Sequence, residues 1–210
     1  MFLAHDRPDI MYACKELARF AANPHSADLI RAKRLARYLK GYPTFTWHFH
    51  GFEEPTSLVT WVDSDWAGQT DTRKSTSGGI VLIGSCCVDA WSRTQVSCAL
   101  SSAEAEYVAM CIGATRTLGI QTLLSELGHV STFLMKSDSR GALLSAATPG
   151  SLRMKHLQLK WHLLKDLVSQ GVLQLAQVAT ADNIADVLTK AVTVSTLATC
   201  LSLCKFCSRT

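Results

Sequence analysis

The sequence predicts an α/β fold in which a mixed β-sheet is flanked by helices, preceded by a small helical appendage. The order of elements is the first reason: three strand-like segments come first, and two further strands then alternate with helices. The connections are the second reason. A short turn joins antiparallel strands, whereas a helical crossover joins parallel ones, so this order requires both kinds of pairing in one sheet. A length of 210 residues suits one sizeable domain with an appendage, or two small domains.

Residues 1–56 predict two helices and a strand. A helical pattern opens at Pro8 and stops before Pro24, and Ser26 is a suitable N-cap for a second helix. The second helix contains RAKRLARYLK (31–40), which has five basic residues and no acid. Two interpretations of it remain open: a solvated basic face, or a helix that contacts phosphates. The segment GFEEPTS (51–57), with Gly, Pro and two acids, marks a boundary.

Beyond this boundary the pattern changes to strands separated by helices. The predicted strands are LVTWV (58–62), IVLIG (80–84), CVDAWS (87–92), TFLMKS (132–137) and VLQLAQV (172–178). The second and third form a hairpin around Gly84-Ser85, and a polar loop from Asp63 to Gly78 precedes it. Helices are predicted over residues 101–127, from Arg140, over residues 152–169 and from about Asn183.

The charge distribution indicates a neutral central domain with a basic front. Residues 1–50 hold eight Lys and Arg against four Asp and Glu, whereas residues 58–190 hold eleven of each. A modest basic segment is compatible with a polyanionic partner.

Targeting and cysteine patterns predict an intracellular protein, either cytoplasmic (including a virus-like particle) or nuclear, and not a secreted one. The N-terminus has no apolar core of signal-peptide length, and no apolar run is long enough to span a membrane. Cys86, Cys87, Cys98 and Cys111 sit in apolar runs, where free cysteine behaves as a small core residue. The C-x3-C-x2-C spacing of Cys200, Cys204 and Cys207 lacks a fourth zinc ligand, so an apolar helix end is favoured there.

Two aspartates follow predicted strands directly. Asp63 comes after LVTWV and Asp138 comes after TFLMKS. Ligand-binding residues gather at the ends of strands in open α/β sheets. If these strands are parallel neighbours, the two carboxylates face each other, and their repulsion raises at least one pKa unless cations hold both ionised. That arrangement suggests a metal site.

The segment SSAEAEY (101–107) offers a third acid. Ser101 and Glu104 have the spacing of a capping box, so Glu104 is expected to reach back to the N-cap amide. Glu106 lies about 200° further around the helix and is free to project toward the sheet. Asp186 follows DNIA near the start of the last helix, where Asp182 or Asn183 can serve as N-cap and leave Asp186 available.

Six motifs in series carry a resemblance to a known family. They are WVDSDWAG (61–68), RKSTSGG (73–79), ALSSAEAEY (99–107), SDSRGA (137–142), KHLQLKWH (155–162) and DNIADVLTK (182–190). Together they resemble the ribonuclease H domain of copia-type LTR retrotransposon Pol polyproteins. Residues 7–41 resemble the end of the reverse transcriptase that precedes that domain. The resemblance implies a truncated reverse transcriptase end over residues 1–56, a ribonuclease H domain over residues 57–190 and a tail over residues 191–210.

The resemblance implies a ribonuclease H fold with a five-stranded mixed sheet. It also implies that Asp63, Glu106, Asp138 and Asp186 form a metal-binding catalytic set, with Asp65 kept as a reserve ligand. Two Mg²⁺ ions, or Mn²⁺ as a substitute, would then support hydrolysis of the RNA strand of an RNA–DNA hybrid. The implied partners are this hybrid, the reverse transcriptase and other Pol regions, without a membrane.

Substrate contacts are predicted from the same motifs. Selection of RNA depends on its 2′-hydroxyls, for which the candidates are Ser101, Ser102 and the backbone near Gly68. Phosphate contacts are predicted for Arg73, Lys74, Ser75 and Thr76, although solvated loop charges explain Arg73 and Lys74 equally well. His156 could bind substrate or be a half-buried structural histidine.

Two functional readings follow. One is a metal-dependent ribonuclease H, favoured by the presence of all four acids. The other is a catalytically inactive remnant that only folds or binds nucleic acid, favoured by the truncated front and by a tail that departs from the family after Lys190. Polymerase activity is not expected, since there is no Tyr-x-Asp-Asp sequence and residues 1–50 cannot form a palm.

Overall fold

The computed structural model describes residues 2–47, 49, 57–148, 158–204 and 206–207. Its strands are β1 (Thr46–Trp47), β2 (Ser57–Asp65), β3 (Thr76–Ile83), β4 (Cys86–Thr94), β5 (Thr132–Ser137), β6 (Leu173–Gln177) and β7 (Phe206–Cys207). Its α-helices are α1 (Phe2–His5), α2 (Pro8–Arg19), α3 (Ser26–Gly41), α4 (Ser102–Glu126), α5 (Arg140–Ala147), α6 (Gln158–Ser169) and α7 (Val194–Leu203). Two short 3₁₀ helices, Thr180–Asp182 and Ile184–Leu188, lie between β6 and α7. His156, the Pro149-Gly150 break and the predicted helix start at Leu152 lie outside the described residues.

The main sheet has five strands in the order β4-β3-β2-β5-β6. Strands β2, β3 and β4 pair antiparallel, whereas β2 with β5 and β5 with β6 pair parallel. The mixed five-stranded sheet predicted from the order of elements is therefore confirmed. The turn between β3 and β4 contains Gly84 at φ +59°, a left-handed conformation that glycine adopts without strain.

Strand β3 begins earlier than the sequence predicts. Thr76 and Ser77, assigned to a loop, pair with Asp65 and Ser64 of β2. The sequence did not indicate this part of the strand, because its residues are polar and polar runs are typical of loops. In the structure they are buried: Ser75, Thr76 and Ser77 are all at most 1% exposed.

One face of the sheet is covered by α4, α5 and α6. The core between these layers contains Val62, Val81, Met110, Phe133 and Leu164, each at most 2% exposed. Helix α4 lies very close to β2, because a Cβ placed on Gly113 would come within 2.7 Å of a methyl group of Val62. Glycine at this position therefore sets the separation between α4 and the strand that carries Asp63.

The opposite face is covered by helices from both ends of the chain. The apolar cluster there joins Met11 of α2, Ile80 and Leu82 of β3, Leu188, and Cys200 of α7. Residues of all three predicted segments (1–56, 57–190 and 191–210) thus share one cluster. Ile80 and Leu82 face this layer while Val81 and Ile83 face the other, as the two-residue period of a strand requires.

A buried lysine fixes α2 against the sheet. Lys15 is 7% exposed, donates to the Thr76 hydroxyl at 2.5 Å and pairs with Glu16 at 2.6 Å. The segment before β2 also contacts the C-terminal segment, because β1 pairs antiparallel with β7.

Cysteines contribute packing to this layer. Cys200 and Cys204 are free thiols buried in the apolar cluster. Among the helices described, none is long and apolar enough to cross a membrane.

Candidate active site

Three carboxylates meet at one edge of the sheet. Oxygen atoms of Asp63, Glu106 and Asp138 all lie within 4.8 Å of one another. Asp63 lies near the end of β2 and Asp138 directly follows β5, and these two strands are parallel neighbours. The sheet topology thus brings the two aspartates together as predicted, although β2 continues two residues beyond Asp63 and the loop predicted from Asp63 starts later.

Asp63 is held from the far side by the turn that follows the 3₁₀ helix Ile184–Leu188. The Thr189 hydroxyl donates a hydrogen bond to Asp63 Oδ2. Gly78 lies opposite Asp63 on β3, and a Cβ there would come within 2.7 Å of Leu188 and 2.8 Å of Thr189. Glycine at position 78 therefore allows Thr189 to reach the carboxylate.

The structure separates the two glutamates in the first turns of α4, Glu104 and Glu106, by role. The Ser101 hydroxyl caps the helix by accepting from the Glu104 amide at 3.1 Å, and Glu104 Oε2 accepts from the Leu100 amide at 2.8 Å. Glu104 thus has the expected capping role, but it reaches the amide before the N-cap. Glu106 accepts from the Ser64 amide at 3.2 Å through Oε1, while its buried Oε2 has no hydrogen-bond partner among the described residues.

The electrostatics show that two buried acids resist ionisation. Burial, and then the charges of Asp63 and Asp138, raise the pKa of Glu106 to about 9. Burial and the charge of Asp186 also raise the pKa of Asp63 to about 6, although the Thr189 hydrogen bond opposes this. Neighbouring carboxylates disfavour each other's ionised forms, so bound cations would favour ionisation of this cluster.

Asp186 lies beside the three carboxylates, not within their close group. Its Oδ2 pairs with Lys190 Nζ at 2.7 Å, and its buried Oδ1 has no partner among the described residues. Its charge nevertheless raises the pKa of both Asp63 and Glu106. Asp186 is therefore close enough to act electrostatically on the site.

Asp65 has a structural role in this conformation. Its carboxylate accepts from the Thr76 amide and sits where a Cβ on Gly68 would overlap it. The strand places it outside the group formed by Asp63, Glu106 and Asp138. It thus joins β2 to β3 and does not complete the cluster as the reserve ligand proposed from the sequence.

The four residues predicted to contact phosphates differ in exposure. Arg73 is exposed and Lys74 is half-buried, on the loop between β2 and β3. Ser75 and Thr76 are buried: the Ser75 hydroxyl accepts from the Ala67 amide at 3.0 Å and the Thr76 hydroxyl accepts from Lys15. Their side chains hold the loop and do not reach a surface where a phosphate could bind.

The predicted 2′-hydroxyl contacts lie at the start of α4. Ser101 and Ser102 are exposed there, with the Ser101 hydroxyl engaged as the N-cap. Their role in binding stays a prediction, as does that of Arg73 and Lys74.

Sequence reasoning missed Gln95, which links the elements that carry Asp63 and Glu106. The Gln95 amide, 3% exposed, donates to Ser77 Oγ at 2.8 Å, Ser64 Oγ at 3.2 Å and the Ala105 carbonyl at 2.8 Å. It thereby links β2, β3 and α4 next to Glu106. No local pattern could identify it, because its partners lie 10 to 31 residues away in the chain.

Asn183 makes a second long-range link. Its side chain donates to the Val62 carbonyl at 3.0 Å and lies 3.4 Å from Asp138 Oδ1, while its oxygen accepts from the Ala185 amide. The sequence predicted the capping role alone.

The basic helix α3 packs on α2 through the hydrogen bond from the Tyr38 hydroxyl to Asp9, 2.8 Å long. Arg31 pairs with Asp28 at 3.0 Å, and all five basic residues of the helix are exposed. A cavity of about 460 Å³ separates α3 from the end of the 3₁₀ segment, and Arg31, Arg34 and Lys190 are among its lining residues. Both interpretations of the helix, solvated face or phosphate contact, are compatible with this position.

Comparison of the sequence with known proteins identifies relatives of this chain. No family model matches the chain. The retrovirus-related Pol polyprotein from transposon RE1 of Arabidopsis thaliana is 36% identical over 196 residues, which cover 90% of this chain and 13% of that protein. The corresponding polyprotein from transposon TNT 1-94 of Nicotiana tabacum is 32% identical over 188 residues, 89% of this chain and 14% of that protein. The chain therefore spans about one seventh of the length of these relatives.

Among solved structures, LC11-RNase H1, isolated from compost by a metagenomic approach, superposes with a TM-score of 0.50 at 13% sequence identity. The match covers 64% of this chain and 93% of that one. The structural superposition shows that this chain has the ribonuclease H fold, and at 13% identity it shows the fold alone.

Proposed function

Because this chain belongs to the family of retrovirus-related Pol polyproteins and has the ribonuclease H fold, we propose that it hydrolyses the RNA strand of RNA–DNA hybrids with divalent metal ions. The observation that carries the proposal is the group of oxygen atoms of Asp63, Glu106 and Asp138 within 4.8 Å of one another. Three carboxylates this close destabilise the fold unless protons or cations compensate them.

The donor set suits a hard divalent cation. Every candidate ligand is a carboxylate oxygen, the donor type that Mg²⁺ and Mn²⁺ prefer. The buried Oε2 of Glu106 and Oδ1 of Asp186, without partners among the described residues, are further acceptors for such an ion. Asp63, Glu106 and Asp138 would hold the metal, and Asp186 would join them on release from Lys190.

Bound divalent cations would supply an activated water and a Lewis acid for the leaving oxygen. The chain's own residues prepare the site for them. Thr189 and the Ser64 amide orient Asp63 and Glu106. Glu106 must lose its proton when it becomes a ligand, because its pKa in the metal-free site is about 9.

The test is cleavage of an RNA–DNA hybrid labelled on the RNA, with Mg²⁺ or with EDTA. Wild type should cut the RNA only with metal, and Asp138→Asn should lower the rate at least a hundredfold. Asp182→Asn is the matched control, because Asp182 is an exposed acid outside the carboxylate group. Duplex DNA and duplex RNA serve as substrates that should remain intact.

Failure to cut by a folded wild-type protein would contradict the proposal and support the inactive remnant. Equal cleavage by Asp138→Asn and wild type would indicate a contaminating nuclease. A role in reverse transcription within a larger Pol protein forms part of the same proposal, with other Pol regions as partners.

A further inference from the structure

A cavity lies between α2, α3 and the segment that follows the 3₁₀ helix Ile184–Leu188, and we refer to it as the α2–α3 cavity. Its volume of about 460 Å³ falls within the roughly 300–1,000 Å³ typical of small-molecule sites. Its apolar lining comes from four elements and the residue that precedes the last of them, and includes Ile10, Leu17, Leu35, Val187, Val192 and Leu197. The carboxylate group of the candidate active site contributes no residue to this lining, so the cavity is a separate site.

The two acidic residues of the lining are already compensated. Asp9, whose side chain is fully buried, accepts from Arg7 Nε at 2.9 Å and Nη2 at 2.7 Å. Glu16 pairs with Lys15 at 2.6 Å and with Arg19 at 2.8 Å. None of these three cations lines the cavity. The basic residues of the lining therefore determine its charge.

Those basic residues are Arg31 and Arg34 of α3, together with Lys190. Arg31 donates through Nη1 to the buried Asp28 at 3.0 Å, which orients its guanidinium group and leaves other donors available. Within the part of the chain that the structure describes, Arg34 has no ion-pair or hydrogen-bond partner. Side chains three residues apart on a helix are neighbours, and a guanidinium group can bind a phosphate through two hydrogen bonds. Arg31 and Arg34 can therefore bind one phosphate together.

The walls of the cavity suit a flat aromatic group. Tyr12 and Tyr38 line it beside the aliphatic residues. The Tyr38 hydroxyl donates to Asp9 at 2.8 Å, and Lys15 Nζ lies 5.0 Å from the centroid of the Tyr12 ring, so both rings are held in place. Aromatic side chains bind bases by stacking, without sequence preference. An occupant that satisfies both kinds of lining residue carries a phosphate and an aromatic ring.

We propose that the α2–α3 cavity binds a nucleoside phosphate, with the phosphate held by Arg31 and Arg34 and the base packed among the tyrosines and aliphatic residues. The same unit occurs as a free nucleotide and at the end of a nucleic-acid strand. The proposal assigns phosphate contact to two basic residues of α3 and leaves the other three as a solvated face. Because this binding needs neither cleavage nor metal, it goes beyond the proposed function and is independent of it.

Isothermal titration calorimetry of the full chain with AMP tests the proposal, in EDTA so that no metal ion recruits phosphate to the carboxylates. Inorganic phosphate and adenosine should each bind at least about tenfold more weakly than AMP, because each makes only part of the contacts. Arg34→Gln should weaken AMP binding about tenfold or more, since charge-assisted hydrogen bonds are lost. The matched control is Arg37→Gln, an exposed arginine of the same helix outside the lining, which should change the affinity by at most about twofold.

A second pair of variants tests the cavity itself. Ala13 of α2 lines the cavity, so Ala13→Leu should fill part of it and abolish AMP binding. Ala18→Leu adds the same side chain on the exposed side of α2 and should leave AMP binding unchanged. Leucine and alanine both favour helices, so the melting temperatures of the two variants should stay close to that of wild type.

Absence of AMP binding to wild type, or equal affinity of Arg34→Gln and Arg37→Gln, would overturn the proposal. Binding of decanoate as tightly as AMP would also overturn it, because the cavity would then select an apolar anion. Competition with AMP by a 5′-phosphorylated oligonucleotide, but not by its 5′-hydroxyl form, would identify a strand end as the ligand, whereas no competition by either would identify the free nucleotide.

Asp138→Asn should bind AMP as wild type does, which separates the cavity from the candidate active site. If wild type binds AMP but never cuts a hybrid, the proposed function fails and the nucleotide site stands. If wild type cuts the hybrid but does not bind AMP, the nucleotide site fails alone.

Discussion

At the scale of single residues, Glu106 determines how the metal-free protein responds to pH. Its pKa rises from an ordinary 4.5 to about 9 on folding, so the folded state holds a proton that the unfolded state releases between these values. The free energy of unfolding in EDTA should therefore be highest near pH 4.5 and fall as the pH rises toward 9. Urea denaturation in EDTA between pH 5 and 9 measures this decline.

Glu106→Gln provides the control for that decline. It keeps the shape of the side chain and cannot ionise, so the decline above about pH 7, where Asp63 with its pKa of about 6 is already largely ionised, should flatten. An identical pH dependence in Glu106→Gln and wild type would contradict the assignment of this proton to Glu106.

Asp63→Asn should abolish activity without destabilising the fold. We expect cleavage to fall at least a hundredfold, whereas the melting temperature in EDTA should stay level or rise because one repelling charge is lost. The asparagine oxygen can still accept from Thr189, which holds Asp63 in wild type. Mg²⁺ should raise the melting temperature of wild type but not of the variant. A large loss of stability in EDTA would instead mean that Asp63 is a structural acid.

The residues of the carboxylate group were predictable because local rules identified them. Strand ends indicated Asp63 and Asp138, and the capping box set Glu104 apart from Glu106. The hydrogen bonds of Gln95 were not predictable, since they depend on how distant segments pack.

At the scale of elements, the separation of α4 from β2 sets the geometry of the site. Gly113→Ala would place a methyl group 2.7 Å from Val62, so the helix must shift away from the strand. We expect a loss of about 2 kcal/mol in stability and a clear drop in cleavage, because Glu106 on α4 moves relative to Asp63 on β2. Chemical denaturation and hybrid cleavage measure the two effects.

Gly119→Ala is the control on the same helix. Nothing lies within 4 Å of its Cβ position, so alanine should stabilise the protein by up to about 1 kcal/mol through helix propensity. Equal effects of the two substitutions would mean that α4 does not pack as closely on β2 as the structure shows.

The order of elements was readable from hydrophobic periodicity, but two details were not. The helix predicted from Asn183 is the short 3₁₀ segment Ile184–Leu188, followed by α7. Packing of Leu188 against Gly78 favours this tight turn, and a sequence pattern does not report such a contact. The early start of β3 at Thr76 could not be predicted for a similar reason. Thr76 is polar, and its burial depends on hydrogen bonds with the distant residues Lys15 and Asp65.

At the scale of the whole molecule, both apolar faces of the sheet must be packed against other elements. Helices α2 and α7, from the two ends of the chain, pack on the face opposite α4. The sequence could not show whether the first 50 residues pack on the sheet, because an amphipathic helix does not identify its partner. The structure supplies the partner: Met11 of α2 shares a cluster with Leu188, and the next residue, Thr189, donates to Asp63. Helix α2 thus supports the turn that holds the carboxylate.

This connection predicts that α2 matters for both stability and activity. Met11→Asp would bury an unpaired charge in the second cluster, where Met11 is 8% exposed, and should lower stability by about 3 kcal/mol or more. Ala18→Asp places the same group on the exposed side of α2 and should cost at most about 1 kcal/mol. Chemical denaturation compares the two variants, and cleavage at a temperature where both are folded tests the link to Thr189. Equal stability of both variants would mean that α2 does not dock on the sheet, and the support of the site from the N-terminal segment would be wrong.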